Sequence, residues 1–385
     1  MHLVKATDDF RLAGRPMAGF PIVLWEDLTS CLEVNEFLRF YLSRGAIGSQ
    51  RSWEAIGRSL YDYFGFLEAH NLHWKDVSQG SREDLVAAYR RYSSEVHQLR
   101  RNTLRLRLTY ICEFYDYALN RGWVNKLPYR LERRSAARST GFLAHIDASG
   151  GKVAVRSVMP RKHRSLIKFL RLDQVKQLRD AATNPHHQII IRLALGSGLR
   201  REELATFPKA YVFDPYKAGK ATPTVAVTLD PQDGTGMRTK GSKPRVIYIK
   251  RELMLAMYRY AEIFRGERAA HSATGEPATL FLTERGVPWA DSGKGIEAMV
   301  RKLGERAGID THPHMLRHTY ATHTLVKLQG AKGDRRVEPL VFLQRQLGHA
   351  SIQTTMAYLH VVNELADEAV LAYDAELDDW PEPHE

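Results

Sequence analysis

Four separated segments of the 385-residue chain carry residue types able to act on a phosphate ester: Ser197-Gly-Leu-Arg-Arg-Glu-Glu-Leu204, Thr239-Lys-Gly-Ser-Lys-Pro-Arg245, His314-Met-Leu-Arg-His318 and Leu347-Gly-His-Ala-Ser-Ile-Gln-Thr-Thr-Met-Ala-Tyr358. In the third, His314 and Arg317 are i, i+3 neighbours on a helix, so an imidazole and a guanidinium project from one face toward a common point, as a phosphate requires. His314 and His318 also have the i, i+4 spacing of a zinc helix. Met315 stands where such a helix carries glutamate, and the sequence offers no third ligand. Histidines simply packed at a helix end are the plain alternative. In the first segment a turn at Gly196 to Leu199 ends an apolar helix and presents Arg200, and a buried guanidinium requires an anion. Glu203, one turn onward, is either that anion or a support that orients Arg200 while another face of the guanidinium meets substrate. The second segment reads as a hairpin turn in which a lysine beside a glycine can reach into a groove, although basic turns are commonly just solvated. In the fourth, Gly348 closes a helix, His349 follows, and Ser351 is an N-cap for the helix bearing Tyr358, a residue that could equally be core.

The elements that position these segments follow from hydrophobic spacing. Helices are predicted near Leu172 to Ala182, across the apolar run Ile189 to Leu195, and near Arg251 to Phe264, Gly295 to Ala307, Pro313 to Leu328, Pro339 to Leu347 and Ile352 to His360. Alternation at Val225, Val227 and Leu229, then a turn-rich stretch and the β-branched run Val246 to Ile249, predict a small antiparallel sheet. Upstream, Val34, Phe37, Leu38, Tyr41 and Leu42 share one helix face with Gly45 as its C-cap. Trp53, Ile56, Leu60, Phe64 and Leu67 share another, a third helix follows the cap Ser81, and a fourth starts near Asn102 with Leu104, Leu108, Ile111, Tyr115 and Leu119 inward. The fold class is therefore mainly α with a small antiparallel sheet. A helical domain spans 25–131, a basic linker marked by Gly150 and Gly151 spans 132–164, an α+β domain carrying the four segments spans 165–362, and an acidic tail spans 363–385.

Charge narrows the partner. With 56 Lys and Arg against 44 Asp and Glu the formal charge is +12, and the pI is near 9.6, an excess that draws polyanions and disfavours an ordinary enzyme of small metabolites. Arg100, Arg101, Arg105 and Arg107 cluster at the start of the fourth helix and could form a phosphate-binding stripe; a solvated charged face is the alternative. The apolar stretch Ala18 to Trp25 is too short to span a bilayer and no secretory leader is recognisable. Cys31 and Cys112 sit in helical patterns without Cys/His grouping, so neither a disulfide framework nor a zinc ribbon is expected, and a reduced cytoplasmic protein is. Gly150-Gly-Lys-Val153 and Ser292-Gly-Lys-Gly295 lack P-loop spacing.

Taken together, the order and content of the four segments resemble the tyrosine recombinase (phage integrase) family, with its Ser/Thr-Gly-Leu-Arg-x-x-Glu-Leu, hairpin lysine, His-x-Leu-Arg-His, Leu-Gly-His and following tyrosine. The resemblance covers about Ser165 to His360; the helical first domain is similar to the family's core-binding domain in size, position and helical character. It implies a two-domain clamp around double-stranded DNA and an active site of Arg200, Lys240, His314, Arg317, His349 and Tyr358, supported by Glu203, with no cofactor and no metal. Arg100, Arg101, Arg105 and Lys243 are the expected DNA contacts. In that scheme Arg200 and Arg317 balance the charge of pentacoordinate phosphorus, and His314 and His349 hydrogen-bond its non-bridging oxygens. His314 also accepts the Tyr358 proton and Lys240 protonates the leaving 5′ oxygen. Lys243 and Arg238 flank Lys240; the Lys-Gly context favours Lys240. Strand exchange between two duplexes implies a homotetramer on paired sites, with no membrane partner. The competing readings are a type IB topoisomerase, which relaxes one duplex by similar chemistry, and a non-catalytic DNA-binding accessory protein. Integration, excision, resolution and transposition all remain open at this point.

Overall fold

The structure, a computed structural model, describes residues 1–44, 51–77, 84–135, 152–161, 167–330 and 338–359. The chain divides into two compact units, Met1–Ser165 and Leu166–Glu385.

The first unit opens with strands where the sequence predicts no element. β1 (His2–Lys5) pairs antiparallel with β4 (Pro21–Leu24), and between them β2 (Arg11–Leu12) pairs with β3 (Arg15–Pro16). Helices α1 (Leu32–Ser43), α2 (Arg51–Ala69), α3 (Leu85–Glu95) and α4 (Arg101–Asn120) follow. The expected helical domain therefore gains a hairpin ahead of residue 25. Phe20 and Val23 reach its core, and the buried Asn35 of α1 accepts from Val23 N at 2.9 Å and donates to Val23 O at 2.8 Å, which satisfies both backbone groups of the strand. Such short strands carry too few residues for alternation to be read. The predicted helix faces are buried as expected except at Tyr41, which is half-buried, and Leu119, which is 36% exposed at the end of α4. The expected caps Gly45 and Ser81 lie outside the described residues.

The ends of the expected linker belong to this unit as well. β5 (Leu131–Ser135) and β6 (Lys152–Arg156) form an antiparallel ladder, Val158 enters the first core, and Arg156 donates to Glu113 at 2.8 Å and also to Asp116 on α4. The basic composition disguises an alternating strand, because Arg156 finds its carboxylates on a helix about 40 residues away. Gly150, Gly151, Arg138, Lys162 and Arg164 lie outside the described residues.

The second unit contains α5 (Leu172–Ala181), α6 (Pro185–Ser197), α7 (Arg201–Ala205), β7 (Thr224–Leu229), β8 (Arg245–Lys250), α8 (Arg251–Ile263), α9 (Arg265–Ala269), α10 (Lys294–Arg306), α11 (Pro313–Gly330), α12 (Pro339–Leu347) and α13 (Ile352–Met356). Helix α6 is apolar nearly all round, with Ile189 to Leu195 buried, and is the central element of the core. Asn184 caps its start by accepting from His186 N at 2.9 Å, with Pro185 at the first helical position. β7 and β8 pair antiparallel with Val225 opposite Ile249 and Val227 opposite Ile247, which turns one apolar face inward. A second, smaller cluster joins Tyr320, Ala321 and Leu325 of α11, Leu343 and Leu347 of α12, and Tyr358. The helix predicted to run from Ile352 to His360 ends at Met356, so Tyr358 stands in a turn just past it; His360 and the tail 363–385 lie outside the described residues. Among the described residues the fold is mainly α with small antiparallel sheets, and no helix is long and apolar enough to cross a membrane.

Candidate active site

The site is organised by two helix ends. α6 stops at Gly198 and α12 at Gly348, both in the left-handed region with φ of 66° and 63°. Added side chains have no room there: a Cβ on Gly198 would stand 2.4 Å from the Tyr320 ring, and one on Gly348 2.8 Å from Cδ of Arg245. The carbonyls freed at these ends face arginines. Arg317, only 2% exposed, donates from Nη1 to Gly198 O at 2.6 Å and from Nη2 to Leu347 O at 2.7 Å, and Arg200 donates from Nη2 to Gly348 O at 3.0 Å. The negative ends of two helices thus hold two guanidiniums without neutralising either. Burial, followed by the charge of Arg200, lowers the Arg317 pKa to about 9.

Glu203, 1% exposed, supplies the carboxylate, and it serves two arginines. Its carboxylate accepts from both Arg245 terminal nitrogens at 2.7 and 2.8 Å, and from Arg200 at 3.1 Å. Burial pushes its pKa up, but the Arg245 hydrogen bond and the charges of Arg245 and Arg200 outweigh this and hold it below the usual carboxylate range. Both sequence alternatives for Glu203 are therefore realised in part: it pairs with Arg200 yet is mainly occupied by Arg245. Sequence reasoning passes over Arg245, whose only signal is a lone arginine opening an otherwise β-branched strand. Arg200 and Arg245 thus share this single carboxylate, whose charge Arg317 also feels.

Tyr358 is 2% exposed, its ring packed in the cluster on α11 and α12 and its hydroxyl hydrogen-bonded to Nδ1 of His318 at 2.7 Å. Burial pushes the phenol pKa up to about 12, while Arg317 and Arg200 pull it the other way. The His349 ring lies parallel to the tyrosine at 6.4 Å between centroids, anchored from Nδ1 to the buried Thr355 hydroxyl at 2.9 Å. His314 sits at the exposed N-terminal end of α11, its ring 4.3 Å from that of His318 and within the field of Arg317 and Arg200. Burial and neighbouring positive charge lower the pKa of all three histidines, to about 3 for His318 and His349. The hydroxyl's partner is thus His318, where the sequence leads one to expect His314. Among the described residues no third metal ligand joins the two histidines of α11.

Lys240 is not drawn into this cluster. It begins a single 3₁₀ turn, Lys240–Ser242, with Gly241 at φ 72° and Thr239 Oγ1 donating to Lys243 O at 2.7 Å. Lys240, Lys243 and Arg238 are all exposed on this turn between β7 and β8. In the first unit Arg100 and Arg101 are exposed at the start of α4, Arg105 donates to Pro160 O at 2.6 Å, and Arg107 is ion-paired with Asp62. Of the expected stripe, Arg107 is therefore a structural partner rather than a free charge.

Residues 168–364 match the phage integrase family. The chain is 28% identical over 319 residues to the tyrosine recombinase XerD of Bifidobacterium longum, covering 80% of this chain and 86% of that protein. It is 25% identical over 340 residues to transposase A from transposon Tn554 of Staphylococcus aureus, covering 87% and 82%. Its fold is similar to that of the Tn1549 transposon integrase solved in complex with transposon right-end DNA, with a TM-score of 0.55 at 15% identity over 85% of this chain and 94% of that one. The family match takes in every segment from Arg200 to Tyr358, and so the chain belongs to the phage integrase family, that of the tyrosine recombinases.

Proposed function

We propose that the chain is a site-specific DNA recombinase that cleaves and rejoins strands through a 3′-phosphotyrosine on Tyr358. The observation that carries this reading is the packing of Tyr358 in one cluster with Leu347, whose carbonyl holds the Arg317 guanidinium at 2.7 Å, next to an Arg200 that shares the single Glu203 carboxylate with Arg245, so that positive charge is left for a phosphodiester. The hydroxyl oxygen attacks phosphorus and gives up its proton to a neighbouring imidazole, the bond to the 5′ oxygen breaks, and Lys240 gives that oxygen its proton. A 5′ hydroxyl from a partner duplex then reverses the exchange. Arg200 and Arg317 balance the charge of the pentacoordinate state, with His314 and His349 hydrogen-bonding its non-bridging oxygens. One phosphodiester replaces another, so bond energy is conserved and no nucleotide is consumed. Lys240 stands on an exposed turn, open to bound DNA.

The first unit and the basic turn at Lys243 would contact duplex backbone, and exchange between two duplexes calls for a homotetramer, acting in the cytoplasm where DNA is accessible. The names of the relatives, recombinase and transposase, favour two-duplex exchange over relaxation of one duplex. A nicked suicide duplex tests the reading. Wild type should trap a covalent adduct mapping to Tyr358 and, given a second duplex, form joint products, whereas Tyr358→Phe should bind and trap nothing. An adduct on another residue, or supercoil relaxation without joint products, would overturn it.

A further inference from the structure

From the contact between Nδ1 of His318 and the Tyr358 hydroxyl, we infer that His318 is a catalytic residue, the group that takes the Tyr358 proton as the phenolic oxygen attacks and returns it when the strand is rejoined. This rests on the recombinase reading above. Geometry comes first: at 2.7 Å the imidazole is the hydroxyl's hydrogen-bond partner, within the range a general base needs. His349 lies parallel to the phenol at 6.4 Å and is engaged by Thr355, and His314 meets His318 ring to ring at 4.3 Å. His314 is thus one ring further from the tyrosine oxygen along α11, a place suited to contact with the phosphate.

The protonation state agrees with the geometry. The groups around this pair are His312, His314 and Arg317 at or before the start of α11, Arg200 after α6, and His349 after α12. Burial and these neighbours hold His318 neutral, so its Nδ1 lone pair is free to accept provided that Nε2 carries the ring proton. A phenol pushed up to about 12 is a poor nucleophile at neutral pH without such an acceptor. In the balanced step the Tyr358 oxygen bonds to phosphorus and its proton passes to His318 Nδ1. The P–O5′ bond breaks and the 5′ oxygen takes a proton from Lys240. The imidazolium so formed stands beside a phosphodiester whose negative charge offsets Arg200 and Arg317, the charges that otherwise oppose it.

The test uses the full chain pre-bound to suicide DNA, followed in single turnover. His318→Asn places an amide oxygen near the Nδ1 position, keeping a hydrogen bond to Tyr358 but no base. The expected result is unchanged DNA affinity, cleavage slowed by about 100-fold or more, and a rate that climbs by about tenfold per pH unit as hydroxide replaces the lost base. The defect should persist on a 5′-bridging phosphorothiolate, whose leaving group needs no proton. It should be relieved at least about tenfold when Tyr358 is replaced by a trifluorotyrosine, whose phenol ionises more readily. Cleavage by His318→Asn within about threefold of wild type with the same pH profile, or faster than wild type, would overturn the assignment while leaving the recombinase reading intact. So would the climbing pH profile appearing in His314→Asn instead. Absence of any Tyr358 adduct in wild type would overturn both.

Discussion

Glu203 grips Arg245 with both carboxylate oxygens, while Arg200, three residues before it in the chain, donates to the same group once from its guanidinium, at 3.1 Å, and once from its backbone N–H, at 2.7 Å. The bidentate partner is therefore an arginine opening β8, and Arg200 is left with donors to spare. Arg245 in turn lies against Gly348, so one ion pair ties α7, β8 and the end of α12 together.

Removing that carboxylate leaves two guanidiniums facing each other in a buried site. Glu203→Gln should cost about 3 to 5 kcal/mol of stability at neutral pH, measured by denaturant titration. Because the folded pKa is depressed, the contribution is fully present above the unfolded value of about 4.3 and is lost as the pH falls through the folded value. The gap between wild type and variant should therefore narrow below about pH 4. A gap that stays constant down to about pH 3 would mean the ion pair is not its source.

Lys240 and Lys243 share one exposed turn, and only chemistry separates them. If Lys240 protonates the leaving 5′ oxygen, Lys240→Ala should slow cleavage of a normal phosphodiester by about 100-fold or more and recover on a 5′-bridging phosphorothiolate. Lys243→Ala should alter affinity and leave that ratio near one. Recovery confined to Lys243→Ala would reverse the assignment.

At the start of α4, the arginines divide by their partners. Arg100 and Arg101 are exposed, and Arg105 reaches a backbone carbonyl, while Arg107 is bound to Asp62. Changing Arg100, Arg101 and Arg105 to Ala together should weaken binding to any duplex and flatten its log–log salt dependence, by about 0.9 for each phosphate that is no longer neutralised. Arg107→Ala should instead lower stability modestly and leave the salt slope unchanged. Equal slopes in wild type and the triple variant would remove α4 from the DNA surface.

Which of these features are legible in the sequence follows from their range along the chain. The buried faces of α1, α2 and α4 repeat within a single helix, so spacing alone locates them, whereas Arg200, Arg317 and Tyr358 sit in local motifs whose roles come from the resemblance to the tyrosine recombinases. What spacing cannot reveal is partnership across distance. Arg245 meets Glu203 from 42 residues away, and His318, which by spacing reads as half of a metal pair with His314, meets Tyr358 from 40. The N-terminal hairpin and the pairing of β5 with β6 escape the sequence for the same reason, since each strand is too short or too charged to announce a partner. Tyr358 reads as either core or nucleophile, and its ring packs in a core cluster while its hydroxyl meets a histidine.

Arg317 offers the most discriminating substitution, because its environment constrains both its charge and its geometry. Two of its five N–H donors go to Gly198 O and Leu347 O, leaving the others for a phosphate. Arg317→Ala removes the charge and leaves two buried carbonyls unpaired, so cleavage should fall about 100- to 1,000-fold and stability should fall by about 1 to 3 kcal/mol. Arg317→Lys is the finer probe. The same burial and Arg200 charge that bring the arginine to about 9 would bring a lysine, ordinarily near about 10.4, down toward neutrality. Cleavage by this variant should therefore decline as pH is raised across the range in which the enzyme cleaves, the ammonium losing its proton at a lower pH than the wild-type guanidinium. Single-turnover rates on pre-bound DNA across the range measure it. A lysine variant with no such decline would show that the charge at this position is not held in a desolvated, arginine-rich setting.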